Sequence, residues 1–356
     1  AAFCDLASVW SLEKVTNTLT DFANHAVSSA LQVAVSGQAE RGKIPGFDVE
    51  EDPNQAGIFV LAMGKMGAGE LNYSSDIDLI CLFDDSKFAP SDFYDARSAF
   101  IKATREMSST LSELTHEGYV FRTDLRLRPD PAVTPICMGT DAAERYYESL
   151  GRTWERAAYI KARVASGDLE AGNAFLRRIQ PFVWRKHLDF TTIEDAHNMR
   201  LAIRDHKGLG GPITLEGHNL KLGRGGIREI EFFTQTRQLI SGGRDASLRE
   251  RATVCGLSRL AKKGWITKDV ADTLSEHYKA HRIIEHRLQM MHDAQTHNLP
   301  SSKEGFARLA CLMDHSEADL RSELCDRLES VNALIEGFFV ATPNKSDAFS
   351  ELDGSD

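Results

Sequence analysis

The spacing of apolar and polar residues divides the chain into a first part with strands and helices and a second part that is helical. In the first part, apolar residues recur at helical spacing in two segments, and two continuous apolar runs are typical of buried strands. The predicted elements are a helix over about 5–35, a loop over 36–57, strands over 58–63 and 77–83, a loop over 84–92, a helix that includes 100–114, and a strand over 120–127.

From Asp141 onward the pattern is almost entirely helical. Asp141 and Glu144 have the spacing of a capping pair for a helix that continues through Tyr147. Further helices are predicted over 151–163, 191–206, 226–241, 247–264, 268–292 and 317–340. We therefore expect a small α/β unit followed by a C-terminal helical bundle. The predicted domains are 1–165 and 166–345, followed by a polar tail at 346–356.

Composition narrows the classes of function. The chain has 356 residues, of which 42% are hydrophobic, and its formal net charge is −10. This charge argues against a nucleic-acid binder that relies on bulk charge. We find no signal peptide and no apolar stretch of membrane-spanning length, and the six cysteines form no CxxC pair. A cytoplasmic protein with reduced thiols is expected, and the absence of an initial Met suggests a piece of a longer chain.

Two aspartates at the start of the second predicted strand carry the strongest chemical signal. Because side chains alternate along a strand, Asp76 and Asp78 lie on the same face, and Asp124 on the third strand is a third candidate. Carboxylates grouped in this way suit Mg²⁺, with Mn²⁺ as the alternative, and two such ions can promote displacement at phosphorus. The alternative is that Asp76 and Asp78 cap a strand edge in solvent.

The glycine-rich segment upstream supports a phosphate-binding site without matching the common nucleotide motifs. Gly64 and Lys65 follow the first strand, Ser75 precedes the aspartates, and glycines let backbone N–H groups approach a phosphate. Met66 follows Lys65, so the segment is not a Walker A loop. A strand follows where a dinucleotide-binding fingerprint requires a helix.

Several arginines are candidates for binding phosphate oxygens. Arg126 and Arg128 share the predicted face of Asp124, although they are equally suited to structural pairing with the aspartates. On the predicted helix 151–163, every third or fourth residue forms a basic stripe that suits the phosphate-acceptor side or an ordinary solvated surface. Its members are Arg152, Arg156, Tyr159 and Arg163.

A second glycine-rich segment, 223–226, leads into a helix predicted to begin near Ile227. A helix N-terminus behind glycines is a potential anion site, although glycines there also serve simply to end a loop. The candidate residues are Arg224, Arg228, Glu229 and Glu231, of which the two glutamates are weaker candidates for the metal centre. By contrast, we interpret His277, His281 and Glu285, spaced along one helix, as a helical surface or interface, because zinc requires a further ligand.

Longer blocks of sequence carry a specific resemblance. In the first part they are Gly64-Lys65-Met66-Gly67, Glu70-Leu71-Asn72-Tyr73-Ser74-Ser75-Asp76-Ile77-Asp78-Leu79-Ile80 and Asp124-Leu125-Arg126-Leu127-Arg128-Pro129. In the second part they include Gly225-Gly226-Ile227-Arg228-Glu229-Ile230-Glu231-Phe232 and Glu285-His286-Arg287-Leu288-Gln289. These blocks resemble the bifunctional glutamine synthetase adenylyltransferase/adenylyl-removing enzymes, and the first set is similar to their nucleotidyltransferase core.

The resemblance implies an α+β fold, in which a polymerase-beta-like nucleotidyltransferase mixed sheet with flanking helices is followed by a C-terminal helical bundle. It also implies one half of a tandem enzyme. Residues 71–78 and 148–155 are similar to the N-terminal, adenylyl-removing half, which implies phosphorolysis of adenylylated glutamine synthetase by inorganic phosphate with release of ADP. The implied metal ligands are Asp76, Asp78 and Asp124. The alternatives are AMP transfer from ATP and a non-catalytic module that senses the PII signalling protein. Residues 131–135 depart from the glycine-rich pattern of the family, which leaves the substrate loop unassigned.

Overall fold

The computed structural model describes residues 1–185, 201, 204, 208–292 and 294–340. The helix predicted over 191–206 falls almost entirely outside these residues, and the predicted tail at 346–356 falls outside them altogether. The predicted domain limits remain predictions.

A mixed sheet forms the centre of the first part, as the resemblance implies, but it has five strands where the sequence pattern predicts three. Its strands are β1 (Ile58–Ala62), β2 (Ile77–Phe83), β3 (Thr123–Asp124), β4 (Cys137–Gly139) and β5 (Arg163–Gly167). Strand β1 is antiparallel to both β2 and β5, whereas β2 is parallel to β3 and β4. Alternate residues of β1 enter different hydrophobic cores, so both faces of the sheet are covered.

Three strand predictions need correction. Strand β3 has two residues where eight were predicted, because the chain turns after it: the Arg126 amide donates to Oδ1 of Asp124 at 2.8 Å. The short strand β4 was not predicted. Strand β5 begins at Arg163, which the sequence pattern placed at the end of a helix. Pairing with β1 overrides the local pattern there.

Helices cover the sheet in the first part. They are α1 (Ala2–Leu6), α2 (Leu12–Glu40), α3 (Gly64–Ala68), α4 (Phe93–Ser112), α5 (Thr140–Ser149), α6 (Thr153–Ile160), α7 (Leu169–Arg178) and α8 (Gln180–Val183). Helix α2 is capped by Ser11 and extends five residues into the predicted loop, because Gln38 and Ala39 are buried there. The predicted glycine turn forms the one-turn helix α3.

The second part is a helical bundle with its own core. Its helices are α9 (Ile227–Gly242), α10 (Thr253–Lys262), α11 (Lys268–His292), α12 (Lys303–Leu312) and α13 (Glu317–Val340). Three of the predicted helices are confirmed, the helix predicted to begin at 247 begins at Thr253, and α12 was not predicted. No helix in the described ranges is long and apolar enough to cross a membrane. All six cysteines are free.

Candidate active site

A cavity of about 480 Å³ lies where the ends of β2 and β3 meet helices α6 and α9. Nine of the candidate residues line it: Gly64, Lys65, Ser75, Asp76, Asp78, Asp124, Arg228, Glu229 and Glu231. Further lining residues that the sequence did not single out include Thr153, Trp154, Lys161, Arg204, Lys221, Phe232, Gln235 and Leu239. The fold therefore brings the first glycine-rich segment and the start of α9, more than 150 residues apart in sequence, to one site.

The three aspartates converge on this cavity because of strand register. Asp78 on β2 lies directly beside Asp124 on β3, and Asp76 immediately precedes β2. Burial, followed by the nearby charges of Asp124 and Asp76, raises the pKa of Asp78 to about 6, although Lys221 and Arg126 oppose the shift. This part of the cavity therefore carries an excess of negative charge.

Arginines hold two of the aspartates. Nε of Arg122 lies 2.6 Å from Oδ1 of Asp76, and Nε of Arg126 lies 3.0 Å from both carboxylate oxygens of Asp124. The Arg126 side chain is 82% exposed. Arg128 instead donates to backbone carbonyl groups, with Leu125 at 2.8 Å, and does not line the cavity. Its contacts are structural, but they are with backbone carbonyls and not, as the alternative from the sequence proposed, with the aspartates.

The donor chemistry of the aspartates fits a hard divalent cation. In the described part of the chain, no three His, Cys, Asp or Glu side chains are placed closely enough to hold a metal ion. Asp76 and Asp124 form ion pairs with arginines instead. The unbalanced charge at Asp78 nevertheless favours a cation. Gly64 leaves the necessary space, since a Cβ there would lie 2.6 Å from Oδ2 of Asp78. Rotation of the exposed Arg126 side chain would free Asp124.

Lys65 belongs to a buried ion pair that spans the two parts of the molecule. Its Nζ lies 3.0 and 2.8 Å from the carboxylate oxygens of Glu285 on α11, which is completely buried. Burial lowers the pKa of Lys65 to about 8, although the charge of Glu285 opposes this shift. Burial alone would raise the pKa of Glu285, but Lys65, His297 and Arg282 hold it well below its usual value. The pair is therefore charged at neutral pH.

Helix α11 also fixes the loop that leads into β2. Nδ2 of Asn72 donates to Oε2 of Glu285 at 2.6 Å, and Oδ1 of Asn72 accepts from Arg282 at 2.5 Å. Two residues further along the loop, the Ser74 amide donates to Oε1 of Gln289 at 3.1 Å. The expected helical interface at Glu285 is therefore in contact with the site. The block 285–289 is one of those that carry the family resemblance, but nothing in its sequence identifies the residues that it contacts.

Lys161 is a second buried lysine, and the sequence analysis did not identify it. Its Nζ lies 2.9 Å from Glu231 and 3.1 Å from Glu70, and burial is outweighed by these charges, which raise the pKa of Lys161. The same contact, supported by Arg228, holds the pKa of Glu231 well below its usual value despite burial. Glu231 therefore forms an ion pair with Lys161 and is not grouped with the three aspartates of the candidate metal centre.

Helix α6 faces the cavity with the side opposite to the predicted basic stripe. Trp154, Ala157 and Lys161 line the cavity, whereas Arg152 is exposed and Arg156 is buried with its guanidinium 5.3 Å from the centre of the Phe182 ring. Neither arginine lines the cavity. The predicted stripe is also interrupted, because α6 ends at Ile160 and leaves Arg163 on β5.

The chain itself occupies the start of α9. Oε2 of Glu229 accepts from the Gly225 amide at 2.8 Å, and its Oε1 lies 3.3 Å from Arg204. The first amides of the helix, those of Ile227 and Arg228, donate to the Leu220 and Lys221 carbonyls, so the protein itself satisfies the helix N-terminus that was a candidate anion site. Arg228 lines the cavity, but Arg224 does not.

Comparison with known proteins matches the two parts of the chain to two described families. Residues 1–178 match the family described as glutamate-ammonia ligase adenylyltransferase, and residues 196–340 match the family described as GlnD PII-uridylyltransferase. The first match covers the sheet and the three aspartates. The chain belongs to the glutamate-ammonia ligase adenylyltransferase family. The nucleotidyltransferase-like α+β fold expected from the resemblance is therefore confirmed.

Curated relatives agree with this assignment. The chain is 48% identical over 343 residues, or 96% of its length, to a bifunctional glutamine synthetase adenylyltransferase/adenylyl-removing enzyme of Bradyrhizobium sp. (strain BTAi1 / ATCC BAA-1182). It is 47% identical over 352 residues to the enzyme of the same name from Brucella suis biovar 1 (strain 1330), covering 99% of the chain. The chain spans about a third of each relative, 35% and 36% respectively.

Proposed function

We propose that this chain removes AMP from an adenylylated tyrosine of glutamine synthetase by phosphorolysis and releases ADP. The observation that carries the proposal is the convergence of Asp76, Asp78 and Asp124 on a cavity that also holds lysine side chains. Relatives named for adenylyl transfer and adenylyl removal on glutamine synthetase supply the substrate class. The choice of the removing reaction rests on the resemblance of residues 71–78 and 148–155 to the adenylyl-removing half.

In this reaction an oxygen of inorganic phosphate attacks the phosphorus of the adenylyl group. The bond from phosphorus to the tyrosine oxygen breaks, its electron pair leaves with the tyrosinate, and solvent returns a proton to the tyrosine. The leaving phenol has a pKa near 10, so it needs only modest stabilisation. Magnesium, or manganese in its place, would be held by the three aspartates and would supply charge stabilisation at phosphorus.

The residues of the chain provide the positioning. Among the described residues Lys221 forms no ion pair, and its charge acts on Asp78 across the cavity. We assign it to the incoming phosphate, together with the exposed Arg228. Lys65 adds positive charge beside Gly64, and Glu285 fixes its position. Ser75 lies in the wall next to Asp76 and orients a phosphate oxygen.

Two alternatives keep the same site. The first is transfer of AMP from ATP to glutamine synthetase, which uses the same aspartates. The second is a regulatory module, and it is favoured by the match of residues 196–340 to a family whose name includes PII. PII is accordingly a proposed partner of the helical bundle, and a cytoplasmic location remains a prediction.

The test supplies the chain with adenylylated glutamine synthetase, Mg²⁺ and inorganic phosphate, and follows ADP release. A parallel reaction contains unmodified glutamine synthetase and labelled ATP. ADP that appears only with phosphate supports the proposal, whereas label transfer from ATP replaces it with the first alternative. If neither reaction proceeds although the folded chain binds PII, the regulatory module is the better account.

A further inference from the structure

Helices α6 and α9 run in opposite directions along the cavity, in a fixed register. Nζ of Lys161, at the end of α6, lies 2.9 Å from Oε1 of Glu231 on α9. Four residues earlier on α6 and four residues later on α9, the Ala157 carbonyl accepts from Nε2 of Gln235 at 3.4 Å. The two contacts fix the antiparallel arrangement of these cavity walls.

The chemistry of the cavity changes along this pair of helices. Its charged end holds Lys161 and Glu231, the end next to Lys65 and the aspartates. Towards the start of α6 and the end of α9 the lining becomes apolar, with Trp154 and Leu239. At 1.5 Å per helical residue, Leu239 lies about 12 Å along α9 from Glu231. The cavity therefore has a charged end and an apolar end.

We propose that the apolar end binds the adenine base of the nucleotide, and that Gln235 selects adenine over guanine. The proposal rests on the function proposed above, since it requires an adenylyl group as substrate. An aromatic side chain such as Trp154 and aliphatic neighbours suit the flat face of a base. Gln235 lies about 6 Å along α9 from Glu231, at the transition between the two ends.

The amide of Gln235 gives the site its selectivity. Its NH₂ group donates to the Ala157 carbonyl, which fixes the amide orientation and leaves Oε1 as an acceptor. The exocyclic amino group of adenine donates a hydrogen bond to such an acceptor. Guanine carries a carbonyl oxygen at the corresponding position, and two acceptors would face each other. The phosphate of the same nucleotide then extends towards the aspartates.

The test measures binding of AMP and of GMP to the whole chain by calorimetry, with Mg²⁺ present and glutamine synthetase absent. Tryptophan fluorescence is followed in parallel, and Trp154→Phe assigns any quenching to this side chain. We expect AMP to bind at least about tenfold more tightly than GMP, the scale of one well-placed hydrogen-bond pair. Gln235→Ala should reduce this ratio to about 1, and Gln235→Met should do so with little change in side-chain size, because both remove the amide acceptor.

Gln238→Ala is the matched control. Gln238 lies on the same helix and is equally buried, but it donates to the Leu248 and Glu250 carbonyls and does not line the cavity. Its substitution should preserve the ratio of AMP to GMP affinity even if it lowers the thermal midpoint. An unchanged ratio in both Gln235 variants would overturn the proposal, and so would AMP binding that leaves Trp154 fluorescence unaltered.

The two proposals fail in different ways. An active enzyme whose Gln235 variants keep the wild-type base preference would refute the adenine site and leave the proposed reaction standing. A chain that binds AMP selectively through Gln235 but produces no ADP would refute the reaction and leave the adenine site standing.

Discussion

Two groups of carboxylates lie at or beside the same cavity in opposite electrostatic environments. Glu231 and Glu285 are buried against Lys161 and Lys65, and these charges hold their pKa values well below the usual range. Asp78 is also largely buried, but the carboxylates beside it contribute to raising its pKa to about 6. Arginines pair with Asp76 and Asp124, but in the described part of the chain Asp78 has no ion pair, whereas each of the two glutamates has a lysine within the fold.

This difference separates the scaffold from the reacting centre. The glutamates join α11 and α9 to the segment around Lys65 and so fix the approach to β2. Asp78 forms no ion pair among the described residues, and a cation bound with the substrate would balance its charge. Charge balance, and not residue type, thus distinguishes the two groups, and substitutions should affect them differently.

The largest effect is expected for Asp78→Asn. Turnover should fall by about 10³-fold or more, because the change removes a charge directed at the reacting phosphorus. Without added Mg²⁺ the variant should be more stable at pH 7.5, by about 1–3 kcal/mol, since Asn does not ionise. Activity assays and urea denaturation of the same preparation measure both effects.

The sign of the Asp78 effect can be checked against pH. The pKa of Asp78 is about 6 in the folded chain against an ordinary value of 3.8, so the folded state binds more protons between these values. Stability contributed by this group is greatest at low pH and falls as pH rises through that window. The gain from Asp78→Asn should therefore disappear at pH 4. A gain that persists at pH 4 would contradict this explanation.

Glu285→Gln should affect stability most strongly. The substitution keeps an oxygen for Asn72 but leaves Lys65 buried without a counter-charge, so the free energy of unfolding should fall by about 3–5 kcal/mol. Asp272→Asn is the control, because Asp272 lies on the same helix and its pair with Lys268 is exposed. Chemical denaturation should separate the two variants clearly. Equal stabilities would mean that Glu285 is not part of the scaffold.

Lys221→Ala should raise the KM for phosphate by about tenfold, while the thermal midpoint changes little. Lys221 faces the aspartates without an ion pair in the described structure, so it is available to the incoming anion. Arg152→Ala provides the contrast, because Arg152 does not line the cavity and the KM should stay unchanged. Initial rates over a range of phosphate concentrations decide this, and the opposite pattern would restore the predicted arginine stripe.

The smallest effect is a shift in pH dependence. If charged Lys65 is needed, turnover should fall as pH rises through about 8, the pKa that burial gives this lysine. Residual activity of Glu285→Gln should decline at lower pH, since the charge that raises the Lys65 pKa is lost. The free energy of unfolding should instead rise with pH, because between about pH 8 and 10.4 Lys65 binds more protons in the unfolded state than in the folded state. A fall in turnover at high pH that occurs at the same pH in Glu285→Gln as in the wild type would contradict this role for Lys65.

The sequence predicted what depends on local pattern. The apolar runs at 58–63 and 77–83 correctly predicted strands β1 and β2, and the spacing of Asp76 and Asp78 predicted the common face from which both reach the cavity. Strand β5 was missed because its residues have no apolar alternation, and it forms only by pairing with β1. Contacts between distant segments set such elements, and no local pattern reports them.

The same limit applies to the site. Lys161 follows Ile160 at the end of a helix, and its sequence context gives no sign that Glu70 and Glu231 lie within 3.1 Å. The arginine stripe follows from helical spacing over 152–159, but spacing alone cannot say which side of α6 faces the cavity. Trp154 shows that the cavity takes the other side.

One measurement tests the central claim most directly. Adenylylated glutamine synthetase is incubated with Mg²⁺, radiolabelled inorganic phosphate and either the wild-type chain or Asp78→Asn, and the nucleotide products are separated. Our account predicts label in the β-phosphate of ADP for the wild type and none for the variant. Release of unlabelled AMP, or label transfer that survives Asp78→Asn, would contradict phosphorolysis at these aspartates.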